Sequence, residues 1–283
     1  MISASYASSV KTARMLSVPP AQPGVVRSPL QVSLSVWKAL FLREASARLF
    51  GSRGGWFWLL LDPVFHIAYL MVLFSVLRMR HVGGMQTAVW IMVGLLGYFM
   101  FQHACSQSMR AIAANRSMFV YRQILPVDTV LVRAALEAVL LVVVGFVLLV
   151  GGALAGLQVI PADPLRTADC LLSLWLIGLG YGAAASAITE LVPESAQILS
   201  MIMQPLYLIS GVMFPIAAMP SPYRDWLMLN PLAHGLDAIR VSFAPHYHEI
   251  PGLSMSYLHG WALALLVLGL SLQVVFAKRL VSE

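Results

Sequence analysis

The sequence predicts an all-α integral membrane protein with six transmembrane helices, an N-terminal amphipathic interface helix and external re-entrant helices. Hydrophobic residues make up 59% of the 283 residues and charged residues only 11%, whereas soluble domains carry roughly a quarter charged residues. The apolar residues are grouped into stretches of about 20, the length that a helix needs to cross a hydrocarbon core of about 30 Å. Lipid is therefore the expected solvent for most of the chain.

The N-terminal region, residues 1–29, is rich in Ser, Ala and Pro and lacks the continuous apolar run that a cleavable signal peptide needs. We expect it to form a disordered cytoplasmic tail. Residues 30–55 follow as an amphipathic interface helix on the membrane surface and its link to the first span. The apolar residues that recur there at helical spacing are Leu30, Leu34, Trp37, Phe41 and Ala45. A helix packed on a partner protein is the alternative.

The transmembrane domain is predicted over residues 56–283. Five stretches are long enough to span directly: 57–77, 87–109, 129–151, 168–190 and 257–277. The sixth, 196–214, is shorter, and prolines interrupt the apolar runs from 207 to 240, which favours broken helices that re-enter the membrane from outside. Thirteen of the 18 Lys and Arg residues fall on the side of the N-terminus. Both termini are therefore expected in the cytoplasm.

The chain lacks the sequence signatures of ATP hydrolysis and of common hydrolases. It contains no G-x-x-x-x-G-K-[ST] phosphate loop, no G-x-S-x-G elbow and no H-E-x-x-H metal pair. We therefore predict no catalytic, cofactor-binding or metal-binding residues in this chain, and any nucleotide energy must come from another subunit. Basic residues lie between apolar segments instead of on one polar face, so no nucleic-acid partner is expected.

Two of the predicted spans carry polar residues along one helical face. Because unpaired polar groups are costly in lipid, such faces indicate a wet passage or a subunit seam, or else hydrogen-bonded helix packing. The two interpretations are about equally supported. The candidate path or seam residues are His103, Ser106, Gln107 and Arg110 on the second span, and Gln197, Ser200, Gln204 and Tyr207 on the fifth.

Three other groups within the spans favour structural roles. Arg133 and Glu137, four residues apart in the third span, are expected to form an intrahelical ion pair. Asp62 and His66 in the first span have the spacing of a proton relay, although capping of a bend is the favoured interpretation. Small residues at a four-residue spacing predict a close-packing face on the fourth span: Gly178, Gly182 and Ser186.

Three stretches of the chain resemble a known family of membrane subunits. Residues 42–55, LREASARLFGSRGG, are similar to an R-E-x-x-x-R-(F)-G-x-S-R-x-G pattern before the first span, with the order around Phe50 partly inverted. Residues 113–126, AANRSMFVYRQILP, resemble the family's cytoplasmic connection, and residues 210–240 resemble its re-entrant region. On these residues the chain is similar to the membrane subunits of ABC-2 type exporters, in particular those for capsular polysaccharide and, more distantly, for O-antigen.

The resemblance implies a function and a set of partners. Two copies of the chain would form the passage, and two separate ATPase subunits, which bind ATP and Mg, would dock beneath them. Such exporters move lipid-linked polysaccharide outward across the bacterial inner membrane, where a periplasmic co-polymerase and an outer-membrane channel receive it. The docking candidates that the resemblance implies are Asn115, Arg116, Tyr121, Arg122, Gln123, Arg43 and Arg48.

The residues themselves offer contacts for a sugar polymer. Aromatic faces stack on sugar rings, and basic side chains attract an anionic polymer. The candidates for stacking are Trp56, Trp58, Tyr98 and Phe99. An aromatic belt at the lipid interface explains the tryptophans equally well. The alternatives to capsule export are an ABC-2 permease for O-antigen or another glycan or lipid, and a proton-coupled secondary transporter.

Overall fold

The computed structural model describes residues 29–51, 54–77, 81–121 and 123–281, which are mostly helical. The predicted tail lies outside the described residues except for Pro29, where the first helix begins. The helices are α1 (Pro29–Phe50), α2 (Gly55–Leu77), α3 (Thr87–Met109), α4 (Ala111–Ala114), α5 (Pro126–Leu154), α6 (Pro164–Leu191), α7 (Ser195–Met201), α8 (Met203–Ile209), α9 (Tyr223–Leu227), α10 (Pro231–Phe243), α11 (Met255–Val275) and α12 (Ala277–Val281). Strands β1 (His81–Val82) and β2 (Met85–Gln86) form a short antiparallel hairpin, and 3-10 turns lie at Arg116–Val120 and Ile216–Ala218.

Five helices are long and apolar enough to cross a membrane by length and composition, namely α2, α3, α5, α6 and α11. This confirms the five long stretches expected from the sequence. Two of them begin before their apolar stretch, α5 at Pro126 and α6 at Pro164, because proline suits the first turn of a helix. The Asp128 carboxylate also accepts a hydrogen bond from the Leu125 N–H at 2.9 Å, and Asp163 caps α6. These caps extend both helices into polar first turns.

Helix α3 lies at the centre of the bundle, with most of its side chains buried and with α6 packed along its length. Small residues on α6 permit this contact. A Cβ atom added to Gly178 would collide with the Phe101 carbonyl oxygen, and one added to Gly182 would meet the next turn of α3. Ser186 is buried on the same face, and its hydroxyl accepts a hydrogen bond from Gln273 Nε2 at 2.7 Å. The predicted close-packing face is confirmed.

The predicted sixth span, 196–214, is a shorter and broken helix. Helices α7 and α8 together cover Ser195–Ile209 and are interrupted at Ile202. The break has a covalent cause, because Pro205 has no N–H to bond the carbonyl four residues before it. The two helices rise about 22 Å, less than a hydrocarbon core of about 30 Å. The chain then turns at Gly211, whose φ of 71° favours glycine.

The bundle has two ends, which we call the α1 end and the cap end. The α1 end contains α1, residues 110–125 and α12. Leu280 of α12 packs there in one cluster with Ile112 and Val130. Helix α6 also finishes at this end, where Glu190 pairs with the loop. The two described termini of the chain therefore lie at the same end of the bundle.

The cap end contains the hairpin, residues 155–163 and residues 211–254. The His248 N–H donates a hydrogen bond to the Gly83 carbonyl at 3.1 Å, which joins the last of these segments to the hairpin. Helix α11 begins at this end. Because α6 finishes at the α1 end, the chain between α6 and α11 passes from one end to the other through α7 and α8.

Helix α1 packs on the bundle through a face that coincides only in part with its predicted apolar stripe, of which Phe41 and Ala45 are partly buried. Leu40 and Glu44 are buried against the bundle, whereas Leu30 and Leu34 of the stripe are exposed. Trp37 of the stripe is exposed, and its indole N–H donates to an Asp128 carboxylate oxygen at 2.7 Å. The buried face carries charged residues with partners on α3 and α5, while the start of the apolar stripe faces outward.

Candidate functional site

The two polar faces predicted from the sequence meet in the structure. Helix α3 and helices α7 and α8 line two adjoining clefts, which together we call the groove. The upper cleft, nearer the cap end, has a volume of about 530 Å³, and its lining includes His66, Phe99, Gln102, His103, Gln204 and Tyr207. The lower cleft has a volume of about 550 Å³, and its lining includes Gln102, Ser106, Arg110, Gln197, Ser200 and Gln204. The clefts share residues, so the groove is continuous.

Seven of the eight path or seam candidates line this groove. The remaining one, Gln107, faces α1, where its side-chain oxygen accepts a hydrogen bond from Arg48 Nη2 at 2.9 Å. On the opposite wall, Gln197, Ser200 and Gln204 are exposed to the surroundings of the bundle. Exposed amides and hydroxyls are costly against lipid. The arrangement is typical of a surface that meets water or another polar protein face.

Two tyrosines, Tyr98, which is buried, and Tyr181, which is partly buried, hold the broken helix pair against the bundle. The Tyr98 hydroxyl donates to the Met203 carbonyl at 2.8 Å, and the Tyr181 hydroxyl donates to the Leu199 carbonyl at 3.2 Å. These carbonyls flank the break before Pro205, where the helix ladder is incomplete. Tyr98 was a candidate for sugar stacking, but its ring is buried and lies 4.9 Å from the Tyr207 ring. Its place in the structure is a tie between α3 and α8.

The other aromatic candidates lie at the groove or on the outer surface. Phe99 lies between two imidazoles, with ring centroids 5.5 Å from His66 and 5.5 Å from His103, and forms part of the upper cleft. Trp56 and Trp58 are exposed at the start of α2 and line neither cleft. Of the four stacking candidates, Phe99 is the one that lies in the groove wall, and it is only 7% exposed.

A buried ion network lies behind the groove and joins α1, α3 and α5. Glu44 accepts hydrogen bonds from Arg133 at 2.7 Å and from Arg48 at 3.2 Å. Arg48 also pairs with Glu137, whose second carboxylate oxygen lies 3.2 Å from His103 Nδ1. The two glutamates are only 7% and 4% exposed. A third guanidinium group, that of Arg43, lies 3.9 Å from Glu44, so three guanidinium groups face two carboxylates and the network needs no further positive charge from the histidine.

The predicted intrahelical pair of Arg133 with Glu137 is wrong. Each residue pairs instead with a residue of opposite charge on α1, because Glu44 and Arg48 lie one turn apart on the face of α1 that covers α5. Arg48 was also a docking candidate, and in the structure it is engaged within the ion network. Helical spacing shows which residues share a face, but not which second helix covers that face.

The loop at residues 110–125 contains the remaining docking candidates. Asn115 is buried, accepts a hydrogen bond from Arg43 and donates to the Ala111 carbonyl at 3.0 Å. Arg116 is exposed and forms an ion pair with the last turn of α6. Further exposed side chains on the loop are Val120, Tyr121, Gln123 and Leu125. Arg122 lies outside the described residues. The loop therefore offers a partly apolar surface of the kind that protein partners cover.

Comparison with known proteins identifies the family. The ABC-2 type transporter family matches residues 35–244, a stretch that includes the groove and the ion network. The chain belongs to the ABC-2 type transporter family.

Relatives of this ABC-2 type transporter chain have names that describe polysaccharide transport. The chain is 32% identical over 248 residues to the polysialic acid transport protein KpsM of Escherichia coli, an alignment that covers 88% of this chain and 96% of that protein. It is 25% identical to the capsule polysaccharide export inner-membrane protein CtrC of Neisseria meningitidis, over 88% of this chain and 94% of the relative. The corresponding protein BexB of Haemophilus influenzae is 22% identical, over 89% and 95%.

A buried arginine organises the cap end of this ABC-2 type transporter chain. Arg240 Nη2 donates to the carbonyls of Gly211 and Val212 at 3.0 and 3.2 Å, and its guanidinium lies 3.7 Å from the centre of the Trp90 ring. Gly94 faces the guanidinium, and a Cβ atom there would collide with it. The arginine thus connects the turn after α8 to α3 and α10. It holds that turn in place at the cap end of the bundle.

A second set of hydrogen bonds extends this cluster. The Trp90 indole N–H donates to the Tyr247 hydroxyl at 3.2 Å, and that hydroxyl donates to Asp237 at 2.9 Å. Burial raises the pKa of Tyr247 to about 12, so its hydroxyl stays protonated and donates. Sequence reasoning placed Asp237 and Arg240 in a family-like stretch but assigned them no role. The sequence feature that could have indicated a role for these two residues is their charge within an otherwise apolar segment.

Proposed function

We propose that the chain is the membrane-spanning subunit of an ATP-driven exporter that moves lipid-linked capsular polysaccharide outward across the bacterial inner membrane. The groove carries this proposal, because it is a continuous line of amide, hydroxyl and imidazole side chains in a bundle otherwise suited to lipid. Such side chains donate and accept hydrogen bonds to the many hydroxyl groups of a glycan. Relatives named for polysialic acid transport and capsule polysaccharide export support the same substrate class.

A second copy of the chain completes the passage in this proposal. The groove is open on one side, and Gln197, Ser200 and Gln204 are exposed along α7 and α8. Closure against a second copy would place these side chains in an enclosed polar space and remove them from lipid. Helices α7 and α8 then form the sixth crossing, since they connect opposite ends of the bundle. The segment 207–240 re-enters at the outer side.

The α1 end faces the cytoplasm in the proposed orientation. Most Lys and Arg residues of the sequence lie on this side when the spans alternate. The position of Leu280 supports both termini being on one side, because α12 packs at the same end as α1. The cap end would then face the periplasm, where a co-polymerase and an outer-membrane channel receive the polymer.

Two ATPase subunits are the proposed partners at the α1 end, and they would bind the ATP and Mg. The supporting observation is the exposed surface of the loop at residues 110–125, where Val120, Tyr121 and Leu125 present apolar area beside Arg116. An apolar patch with a charged neighbour is suited to a specific protein contact. Arg43 and Asn115 hold this loop on α1, so movement of the loop would be transmitted to α1.

The alternatives differ in how well the structure supports them. A permease for O-antigen or another glycan or lipid would use the same groove with a different substrate. A proton-coupled secondary transporter needs a titratable pair along its path, and the described residues show no ion pair between Asp62 and His66. Glu137 is already paired with Arg48. These contacts favour the exporter.

The proposal is tested by following polymer in cells. A strain that lacks this chain should keep capsular polysaccharide inside the cell, and the wild-type chain should restore it to the surface. Gln197→Leu combined with Gln204→Leu should block export while the chain still reaches the membrane and co-purifies with its ATPase. His246→Gln, a change on the exposed cap end, is the matched control and should export normally. Normal surface polymer in the deletion strain would refute the proposed function.

A further inference from the structure

We propose that His103 is the groove residue that binds the acidic groups of the transported glycan, and that it takes up a proton when the acidic sugar arrives. The inference rests on the proposed export function and names a substrate class, a polysaccharide that carries carboxylate groups. It also assigns Glu137 as the positioning residue that fixes the orientation of the imidazole.

The position of His103 connects the ion network to the groove. Its Nδ1 lies 3.2 Å from Glu137, and its ring lines the upper cleft with 35% of the side chain exposed. Because an ionised carboxylate only accepts hydrogen bonds, the proton of the neutral ring resides on Nδ1. The other ring nitrogen, Nε2, has no hydrogen-bond partner among the described residues. The exposed edge of the ring therefore offers Nε2 to whatever occupies the groove.

The groove is lined by basic groups and by no acidic ones in the described part of the chain. Arg110 lines the lower cleft, and His66 and His103 line the upper cleft, whereas neither cleft has an Asp or Glu in its lining. A narrow space with charges of one sign concentrates ligands of the opposite sign. The groove is thus suited to a polymer with negative charges.

Proton uptake follows from the charge balance of the ion network. Glu44 and Glu137 are already paired with Arg48 and Arg133, and Arg43 lies 3.9 Å from Glu44, so the network requires no further positive charge. A proton added to Nε2 of His103 would leave one positive charge unmatched at the groove surface. A ligand carboxylate at Nε2 provides the missing negative charge and receives a charge-assisted hydrogen bond. Ligand binding and protonation therefore favour each other.

Other titratable and charged side chains lie on α3 itself and on the neighbouring helices. They are Arg43, Glu44 and Arg48 on α1, Asp62 and His66 on α2, Arg110 on α3, Arg133 and Glu137 on α5, and Tyr207 on α8. Among them, His66 is the other imidazole that lines the upper cleft. The test must consequently separate the two histidines by substitution.

The neighbouring Phe99 explains how a sugar ring would be placed. Its ring lies between His66 and His103, with both centroid distances at 5.5 Å. Because Phe99 is only 7% exposed, it forms an apolar floor of the upper cleft between the two imidazoles, and a sugar seated on this floor would have a carboxylate substituent beside an imidazole. Gln204 and Tyr207 on the opposite wall provide groups for the hydroxyls of the same sugar.

The inference is tested on the complete complex with its ATPase partner in lipid nanodiscs. The probes are a sialic acid oligomer and a neutral dextran oligomer of equal length, bound on the acid and on the alkaline side of neutrality. The wild-type complex should prefer the acidic oligomer, more strongly on the acid side. Calorimetry in two buffers of different ionisation enthalpy should show proton uptake with that oligomer alone.

Two substitutions at the same position make the result decisive. His103→Gln should lower the preference for the acidic oligomer about tenfold, the factor expected for one charge-assisted hydrogen bond, and should abolish proton uptake. His103→Lys should keep the preference without proton uptake, because its charge is permanent. His246→Gln is the matched control and should retain proton uptake. His66→Gln removes the other imidazole of the upper cleft, and loss of proton uptake in it alone would overturn the assignment to His103.

The outcomes separate this inference from the proposed function. Unchanged preference and proton uptake in His103→Gln would overturn the role of His103 while export itself stands. If both His103 variants lose binding of the neutral and of the acidic oligomer together, the role of His103 is purely structural. That result would also overturn the inference. Failure of the wild-type complex to bind or export any glycan would instead overturn the proposed function.

Discussion

Glu44→Gln tests whether the ion network holds α1 on the bundle. Glu44 is 7% exposed and accepts hydrogen bonds from Arg133 at 2.7 Å and Arg48 at 3.2 Å. Glutamine keeps the size of the side chain but removes its charge, which leaves Arg133, whose side chain is 14% exposed, without a counter-ion. Breaking one partner of a buried pair costs about 3–5 kcal/mol. Because Arg133 is still partly exposed and keeps a hydrogen bond to the Arg110 carbonyl at 3.4 Å, we expect a cost near 3 kcal/mol.

Hydrogen exchange of the α1 amides in nanodiscs measures this cost as local opening. About 3 kcal/mol corresponds to exchange that is roughly a hundredfold faster. Glu249→Gln, at an exposed position of the cap end, is the matched control and should leave α1 unchanged. In a double-mutant cycle, Arg133→Gln should cost much less when Glu44→Gln is already present. Costs that add within about 0.5 kcal/mol would show that the two side chains do not interact and would refute the network.

Three further changes test the packing, the helix break and the docking surface. Gly182→Leu should prevent α6 from packing on α3, so the protein should lose its folded peak in gel filtration. Gly151→Ala is the control and should keep that peak, because no atom lies within 4 Å of the added Cβ. Equal behaviour of the two variants would contradict the packing. Pro205→Ala restores a backbone N–H and should make α7 and α8 one continuous helix. Amide hydrogen exchange near the break should then become slower, and polysaccharide export should fall. Unchanged hydrogen exchange would show that the break has another cause. Arg116→Glu sets two carboxylates together at Glu190 and should weaken co-purification of the ATPase about tenfold. Undiminished coupling to the ATPase would remove this loop from the interface.

Local patterns were sufficient for the long helices and for the polar faces. The apolar stretches marked five helices that could cross a membrane, and spacings of three and four residues placed His103, Ser106 and Arg110 on one face of α3. Hydropathy and helical period are properties of neighbouring residues. The break before Pro205 was also a local signal, and the sixth predicted span passed over it.

Contacts between distant segments could not be read in the same way. The sequence paired Arg133 with Glu137, whereas the structure pairs each with α1, about 90 positions earlier in the chain. Tyr98 showed a flat ring suited to a sugar, yet the packing of α8 on α3 directs its hydroxyl to a backbone carbonyl. In each case the side chain was identified correctly and its partner was not.

By itself, the sequence determined that this chain lies in lipid, which stretches form helices, and that two of those helices carry a polar face. The tertiary structure alone decided that the two polar faces meet in one groove and that α1 supplies the counter-charges behind it. The physical reason is that a helical repeat sets the angle of each side chain about its own axis. Which surface covers that side chain depends on the packing of all the other helices, such as the glycine contact that seats α6 on α3.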